Sequence, residues 1–252
     1  MDHVQNGDIQ FLRSTPDREP DRQPDHFIES HNKSTKMQNA ITCNARAIFK
    51  METRDYEGAF NLLRSSMLSL TNTLQQNAKL PPQQAEQSIV LVSSCHLPGY
   101  SSYYTGTVLF SVPVNNGAYE CLSKQQVDYC SAACLFNMAL ACHLEFESTK
   151  SSPKRDKLAH QARILYLTAY QLLQKYPIEP TDSILLLLMA MCANLMEIEM
   201  ELGSVDEFRF WRRILENASF AADPLCFAGS SVYTFFDSIY IAPGELVAAK
   251  AA

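Results

Sequence analysis

The chain has 252 residues, of which 46% are apolar, and carries a net charge of -6 at pH 7 with an isoelectric point near 5.5. That is enough apolar material for a substantial core. The acidic balance, without any basic stripe, argues against nucleic-acid binding through phosphate contacts. We find no signal-like N-terminus, and the most apolar stretch, 184–196, is shorter than the about 20 residues of a membrane span. These features predict an intracellular protein, cytoplasmic or nuclear, that binds no membrane.

The first 36 residues are polar and charged and contain Pro16, Pro20 and Pro24. Such a segment buries too little apolar surface to offset the entropy lost on ordering. We therefore predict a disordered N-terminal tail over 1–36, followed by a single domain over 37–252. Thr15 precedes Pro16 and is a candidate site for a proline-directed kinase.

Residues 37–80 show the apolar spacing of two consecutive helices. The pattern is interrupted at 53–55, where Asp55 is placed to cap the second helix. Pro81 and Pro82 should stop that helix, because proline lacks the amide donor that a helix interior requires. The sequence predicts the first helix pair here.

The segment 81–122 differs from its surroundings and reads as an insert. Its runs 89–92 and 108–112 are rich in β-branched and aromatic residues, and turn residues follow at 115–117. They predict one or two short strands. The aromatic stretch 232–241 near the C-terminus predicts another strand, which we expect to pair with 108–112.

The stretch 123–177 predicts two antiparallel helices. Ser123 and Gln126 form a capping box at the start of the first helix, with Leu122 and Val127 as a hydrophobic staple. Ser152 and Pro153 begin the second helix, which Pro177 should end. Ser152-Pro153-Lys154-Arg155 also matches a proline-directed kinase site.

A third pair follows after residue 180. Thr181 or Asp182 can cap a helix that runs to Leu202, and Gly203 suits its C-terminal stop. Ser204 and Glu207 then predict a second capping box at the start of a helix containing Trp211.

Several titratable side chains are candidates for catalytic or metal-binding groups. Cys130, Cys134, Cys142 and His143 lie on one continuous predicted helix, where they fan around the axis and cannot converge on a metal. With no secretory signal, we expect the cysteines to be buried small apolar residues rather than disulfides. Glu197 and Glu201 share a helix face and are expected to be solvated. We find no phosphate-binding glycine loop or nucleophile elbow. The sequence predicts no metal, no cofactor and no catalysis.

The three helix pairs share a weak internal repeat: an asparagine followed by small or apolar residues in the first helix, and a small or aromatic pattern in the second. The matching positions are Asn44-Ala45 with Asp55-Tyr56-Glu57-Gly58-Ala59, then Asn137-Met138-Ala139-Leu140-Ala141 with Ala162, Tyr166 and Ala169, then Asn194-Leu195 with Leu202-Gly203. This pattern resembles the tetratricopeptide repeat over residues 37–78 and 130–221. In the third pair Phe208, Arg212 and Leu215 depart from it, and a generic antiparallel helical bundle is the alternative.

The resemblance implies a mainly α, antiparallel helix-pair superhelix, with a small β element formed by the insert and the C-terminal tail. It also implies a groove, lined by the first helix of each pair, that binds a protein or peptide partner. The implied groove residues are Lys50, Met51, Phe136, Leu140, His143, Leu144, Glu197, Met200 and Glu201. Phe136, Leu140 and Leu144 form an apolar stripe, which we expect the insert to cover in part.

The resemblance therefore favours a non-catalytic adaptor or scaffold. Two alternatives stay open at this point. An enzyme site could form in the tyrosine-rich insert around His96, Tyr100, Tyr103 and Tyr104, or the helical protein could associate with itself through its apolar stripe.

Overall fold

The computed structural model describes residues 24–77, 90–96, 104–111, 114–115, 118–119, 123–178 and 183–222. Over these residues the chain is mainly helical, as the sequence predicts. The described helices, numbered in chain order, are α1 (Pro24–Glu52), α2 (Tyr56–Asn77), α3 (Lys124–Ser148), α4 (Ser152–Leu173), α5 (Ser183–Glu201) and α6 (Val205–Ala221).

The helices pack as three consecutive pairs, α1 with α2, α3 with α4, and α5 with α6. Each pair is joined by a short connection, at 53–55, 149–151 and 202–204, so its two helices run antiparallel. Further contacts join α2 to α3 and α4 to α5, which stacks the pairs in chain order. The first helices, α1, α3 and α5, therefore share one side of the stack.

Helix α1 begins at Pro24, so the predicted boundary of the disordered tail at residue 36 is wrong for 24–36. Proline is tolerated in the first turn of a helix, where its missing N–H would have no intrahelical partner. Extending an existing helix also gains one hydrogen bond for each residue that is ordered, whereas nucleating a new helix orders several residues for its first bond. Residues 1–23, including Thr15, lie outside the described part of the chain.

The predicted break at 53–55 is confirmed, and Asp55 caps α2. Its Oδ1 accepts a hydrogen bond from the Gly58 backbone N–H at 2.9 Å, and its Oδ2 lies 2.7 Å from Lys50 Nζ. The hydrogen bond from Lys50, followed by that from the Gly58 backbone, lowers the pKa of the Asp55 carboxyl. The connection thus holds its turn by local contacts.

The start of α3 is also set locally. Ser123 Oγ accepts from the Gln126 backbone N–H at 3.2 Å, and the Ser123 N–H donates to Gln126 Oε1 at 2.7 Å, so the predicted capping box is confirmed. Helix α4 begins at Ser152 with Pro153 in its first turn, as predicted, but ends at Leu173. Its last turn closes through a bond from the Gln174 N–H to the Tyr170 carbonyl at 3.0 Å. The helix therefore ends before Pro177, and Pro177 does not end it.

The turn between α5 and α6 confirms one sequence prediction and corrects another. Gly203 has a φ of 72°, a left-handed conformation that favours glycine. Ser204 precedes α6, but its side chain makes no capping hydrogen bond, so the predicted capping box with Glu207 is wrong. The Ser204 N–H instead donates to the Glu199 carbonyl at 2.8 Å. This bond closes the C-terminus of α5, so the backbone of Ser204 belongs to the end of α5.

We expect Gly203→Ala to lower the free energy of unfolding by about 1 kcal/mol, because an L side chain is strained at positive φ. No atom lies within 4 Å of the added methyl group, so the loss would come from backbone strain alone. Chemical denaturation followed by circular dichroism measures it. Arg54 has a φ of 61°, and Arg54→Gly should change stability in the opposite direction or not at all. A neutral Gly203→Ala variant would contradict the assigned strain.

The insert forms a small β element beside the helices. Strand β1 (Val90–His96) pairs antiparallel with β2 (Gly106–Ser111), and β3 (Val114–Asn115) with β4 (Ala118–Tyr119). The predicted strands at 89–92 and 108–112 are therefore confirmed, and they pair with each other. The predicted strand 232–241 lies outside the described residues, as does Leu122 of the staple.

Helix α3 is the centre of the core. Its residues 126–144 are all buried, and its apolar residues lie all around the axis, which is typical of a helix surrounded by other elements. By length and composition, α3 is also the one helix in the described ranges that could span a membrane, but its apolar window is fully buried within the protein. Such burial is typical of a core helix.

Candidate functional site

Three buried asparagines occupy equivalent places on the first helices of the three pairs. Asn44 lies on α1, Asn137 on α3 and Asn194 on α5, and all three are fully buried. A buried amide side chain is costly unless its donors and acceptor are hydrogen-bonded. The partners of these side chains therefore indicate what this side of the helices is built to hold.

Asn194 binds the backbone of Tyr104 through both of its polar atoms. The Tyr104 N–H donates to Asn194 Oδ1 at 2.8 Å, and Asn194 Nδ2 donates to the Tyr104 carbonyl at 3.0 Å. Asn194 Nδ2 also donates to Tyr166 Oη at 2.9 Å, which holds the amide in place from α4. One side chain thus satisfies both main-chain groups of one residue of the insert.

Asn137 repeats this arrangement four residues along the insert. The Val108 N–H donates to Asn137 Oδ1 at 2.9 Å, and Asn137 Nδ2 donates to the Val108 carbonyl at 2.7 Å. Asn44 supports it from α1: its Nδ2 donates to the same carbonyl at 3.0 Å, and its Oδ1 accepts from Asn137 Nδ2 at 3.0 Å. We call Asn44, Asn137 and Asn194 the asparagine ladder.

The ladder binds one edge of an extended strand. Backbone groups of a strand alternate between its two edges, so Tyr104 and Val108, four apart, present their N–H and C=O groups on the same side. Because Asn137 takes both groups of Val108, the neighbouring residues of β2 bond to β1 on the opposite edge. The asparagines therefore act in place of a third strand.

Side-chain packing accompanies these backbone bonds. Tyr104 is only 1% exposed, and its ring centroid lies 6.3 Å from that of Phe136, which in turn lies 5.7 Å from Tyr166. A Cβ atom at Gly106 would overlap the phenol of Tyr104, so only glycine fits between the ring and the backbone. The prediction that the insert covers part of the apolar stripe is confirmed at Phe136.

The other predicted groove residues are distributed between core and surface. Met51, Leu140, His143 and Leu144 are buried with Phe136, so this part of the stripe offers no open surface. Lys50 pairs with Asp55, and Glu201 Oε2 lies 3.1 Å from Arg155. Glu197 is half-buried, and Met200 is 41% exposed. Their role in binding a partner stays a prediction.

The ladder itself was not among the predicted site residues. In the sequence its members belong to the weak repeat, as Asn44-Ala45, Asn137-Met138 and Asn194-Leu195. The recurrence of an asparagine in the first helix of each pair is the available signal. A buried amide in a core helix needs a hydrogen-bond partner, and here all three amides meet the main chain of the insert.

Of the four residues that the enzyme alternative names, the structure describes His96 and Tyr104. Tyr104 is buried by packing on Phe136, His96 ends β1, and Tyr100 and Tyr103 lie outside the described residues. Within the described ranges, no cluster of three or more His, Cys, Asp or Glu is placed to hold a metal ion. Burial raises the pKa of Cys134 and of Cys142 to about 12, so both thiols stay protonated.

A cavity of about 360 Å³ lies between α2, α3 and α4. Within it, Lys154 Nζ lies 2.6 Å from Glu145 Oε1, so these charges satisfy each other. Burial keeps the Cys142 thiol in this cavity protonated. The residues that line the cavity are Tyr56, Glu57, Phe60, Ala141, Cys142, Glu145, Lys154, Lys157, Leu158 and Gln161.

Comparison with known protein families, with curated proteins and with solved structures finds no match for this chain. In its described residues the chain is mainly helical, with three helix pairs whose first helices hold an extended strand of the chain's own insert. Its function is therefore inferred from the residues that the structure brings together.

Proposed function

We propose that the protein is a non-catalytic interaction adaptor whose first helices bind an extended polypeptide segment through its main chain. The observation that carries the proposal is the asparagine ladder. Two side chains, Asn137 and Asn194, each bind both the N–H and the C=O of one residue in an extended segment. Such pairs recognise any extended chain, because every residue except proline carries these two groups.

The geometry of the pairs favours peptide recognition over a purely apolar contact. An amide side chain that meets a main-chain amide uses one donor and one acceptor, which fixes the direction and register of the bound segment. Asn44 and Tyr166 hold the two amides from neighbouring helices at 3.0 Å and 2.9 Å. A preorganised amide loses little further freedom when it binds. The tetratricopeptide resemblance, in which first helices line a peptide-binding surface, supports the same function.

Composition and cysteine state support the proposed setting. A net charge of -6 disfavours nucleic acid as the partner. The five described cysteines are free and buried, which is typical of proteins in a reducing, intracellular compartment. We propose a protein or peptide partner that meets the adaptor inside the cell.

A peptide display experiment tests the proposal. Random 12-residue peptides are selected on the immobilised full chain carrying Gly106→Ala, in which the added Cβ atom overlaps the Tyr104 ring and weakens the hold of the insert on the ladder. Each recovered peptide is resynthesised with single N-methyl groups along its backbone. N-methylation removes one N–H donor and leaves every side chain unchanged. We expect two positions, four residues apart, at which N-methylation weakens binding at least tenfold, or about 1.4 kcal/mol.

Variants of the chain provide the control. Asn137→Ala should weaken the recovered peptides by a similar factor, whereas Asn61→Ala, at an exposed position on α2, should not. Circular dichroism establishes that both variants are folded. If no peptide is recovered, or if binding ignores every N-methyl group, main-chain recognition by the ladder is excluded.

A further inference from the structure

The ladder is occupied in this structure by the chain's own insert. Residues 104–108 bring to it the two main-chain amides that Asn137 and Asn194 bind. An extended partner using the same two asparagines would need the space that this stretch fills. The proposed binding surface is therefore closed to such a partner while the insert is in place.

We infer that residues 104–108 are an internal ligand, and that the partner is an extended segment with an aromatic-x-glycine-x-aliphatic pattern that replaces them. This inference rests on the proposed function and specifies its partner. The internal segment reads Tyr104-Thr105-Gly106-Thr107-Val108. Its bonds to the ladder are made by the main chain, which every sequence shares. The side chains therefore determine which sequences can compete for the ladder.

Three features of the internal segment define the pattern. The aromatic ring of Tyr104 is buried against Phe136 of α3. Two residues on, Gly106 passes beneath the phenol, where a Cβ atom would overlap the hydroxyl and the ring. Two residues further, Val108 is buried while its backbone is held by Asn137. A competing segment must reproduce the ring, the gap and the small aliphatic group at the same spacing. Its two intervening side chains must also fit where Thr105 and Thr107 are buried.

The arrangement of contacts makes replacement feasible without unfolding the helices. The helix pairs pack mainly on one another, and β2 contacts the stack at α1 and α3. A tethered segment competes at an effective concentration on the order of millimolar. A partner must therefore bind with additional contacts, or at high local concentration, to displace it. The insert therefore sets the lowest affinity or local concentration at which a partner can bind.

Hydrogen exchange on the wild-type full chain is the first test. The Tyr104 and Val108 amides donate to the ladder, and the amides of α3 report opening of the core. We expect the two ladder amides to exchange at least tenfold faster than those in the middle of α3, and to accelerate further when a synthetic peptide of residues 104–111 is added at millimolar concentration. Exchange of both amides at the α3 rate, unchanged by the peptide, would show that the segment opens only when the helices open and would overturn the inference.

A second test uses Gly106→Ala in the full chain, which weakens the internal segment. A fluorescent 104–111 peptide should bind this variant at least tenfold more tightly than it binds the wild type. The same peptide carrying the Gly106→Ala change is the matched control and should bind both chains weakly. Equal binding of the two peptides would contradict the pattern. If Gly106→Ala does not fold, the exchange experiment decides.

The two proposals can fail separately. If displayed peptides bind through their backbone but the 104–111 peptide never displaces the insert, the adaptor function stands and the internal-ligand inference falls. If the 104–111 peptide binds Gly106→Ala while display recovers no other sequence, the insert is an internal ligand but the ladder does not serve as a general docking site.

Discussion

Replacing Arg163 by leucine should lower the free energy of unfolding by about 3–5 kcal/mol, because it leaves the buried carboxylate of Glu199 without its ion-pair partner. Glu199 on α5 is 0% exposed, and its Oε1 lies 2.6 Å from Nε of Arg163 on α4. Its Oε2 has no hydrogen-bond partner among the described residues. Without the guanidinium, the buried carboxylate is left in the core with no opposite charge at Oε1.

A double variant separates the ion pair from simple packing. Arg163→Leu with Glu199→Leu removes both charges and should recover most of the lost stability, since apolar replacements of buried pairs are often neutral. Arg212→Leu is the matched control. It breaks an exposed pair with Glu216, 2.9 Å apart, and should change the free energy of unfolding by less than about 1 kcal/mol. Urea denaturation of the four proteins measures these differences; a small effect of Arg163→Leu would show that Glu199 finds other stabilisation.

The protein should lose stability steadily on acidification because of His143. Burial lowers the pKa of this side chain to about 3, beside Phe146 and Tyr166 at 6.1 Å and 6.3 Å between ring centroids. The unfolded chain takes up a proton below its ordinary pKa of about 6.5, whereas the folded protein does not. The free energy of unfolding should therefore fall by about 1.4 kcal/mol per pH unit between about 6.5 and 3.

The His143→Leu variant isolates this contribution. Its free energy of unfolding should depend less steeply on pH over that window, because one titrating group is removed, whatever its stability at neutral pH. His160→Leu, at an exposed position on α4, should keep the wild-type slope. Denaturation curves at several pH values give the slopes. Parallel slopes for wild type and His143→Leu would mean that the folded protein can protonate this ring.

The occupied ladder connects stability to the proposed function. The insert satisfies buried amides that would otherwise lack partners, so a partner that replaces it must supply the same main-chain bonds. Binding and release then exchange one set of hydrogen bonds for another, while the helix pairs keep theirs. Affinity should depend on the side chains at the aromatic, glycine and aliphatic positions, because the backbone bonds are common to both occupants.

The carboxylates of α5 mark the limit of sequence reasoning. Helical spacing correctly separates Glu199 from Glu197 and Glu201, but it did not indicate that Glu199 would be buried against Arg163. The two partners are 36 residues apart in the chain. Their distance in space depends on how α4 and α5 pack, and no local spacing specifies that. The capping box predicted at Ser204 is absent for a similar reason. The Ser204 N–H is already bonded to the Glu199 carbonyl at the end of α5.

The sequence by itself determined the elements: the start of α3 after Ser123, the turn at Asp55, the glycine at Gly203 and the two strand-forming runs of the insert. Those features depend on hydrogen bonds and backbone preferences among residues a few positions apart. Only the tertiary structure decided that Asn44 and Asn137, separated by 93 residues, meet at the Val108 carbonyl. The reason is physical: a buried amide can be satisfied by many partners, and packing selects which backbone reaches it.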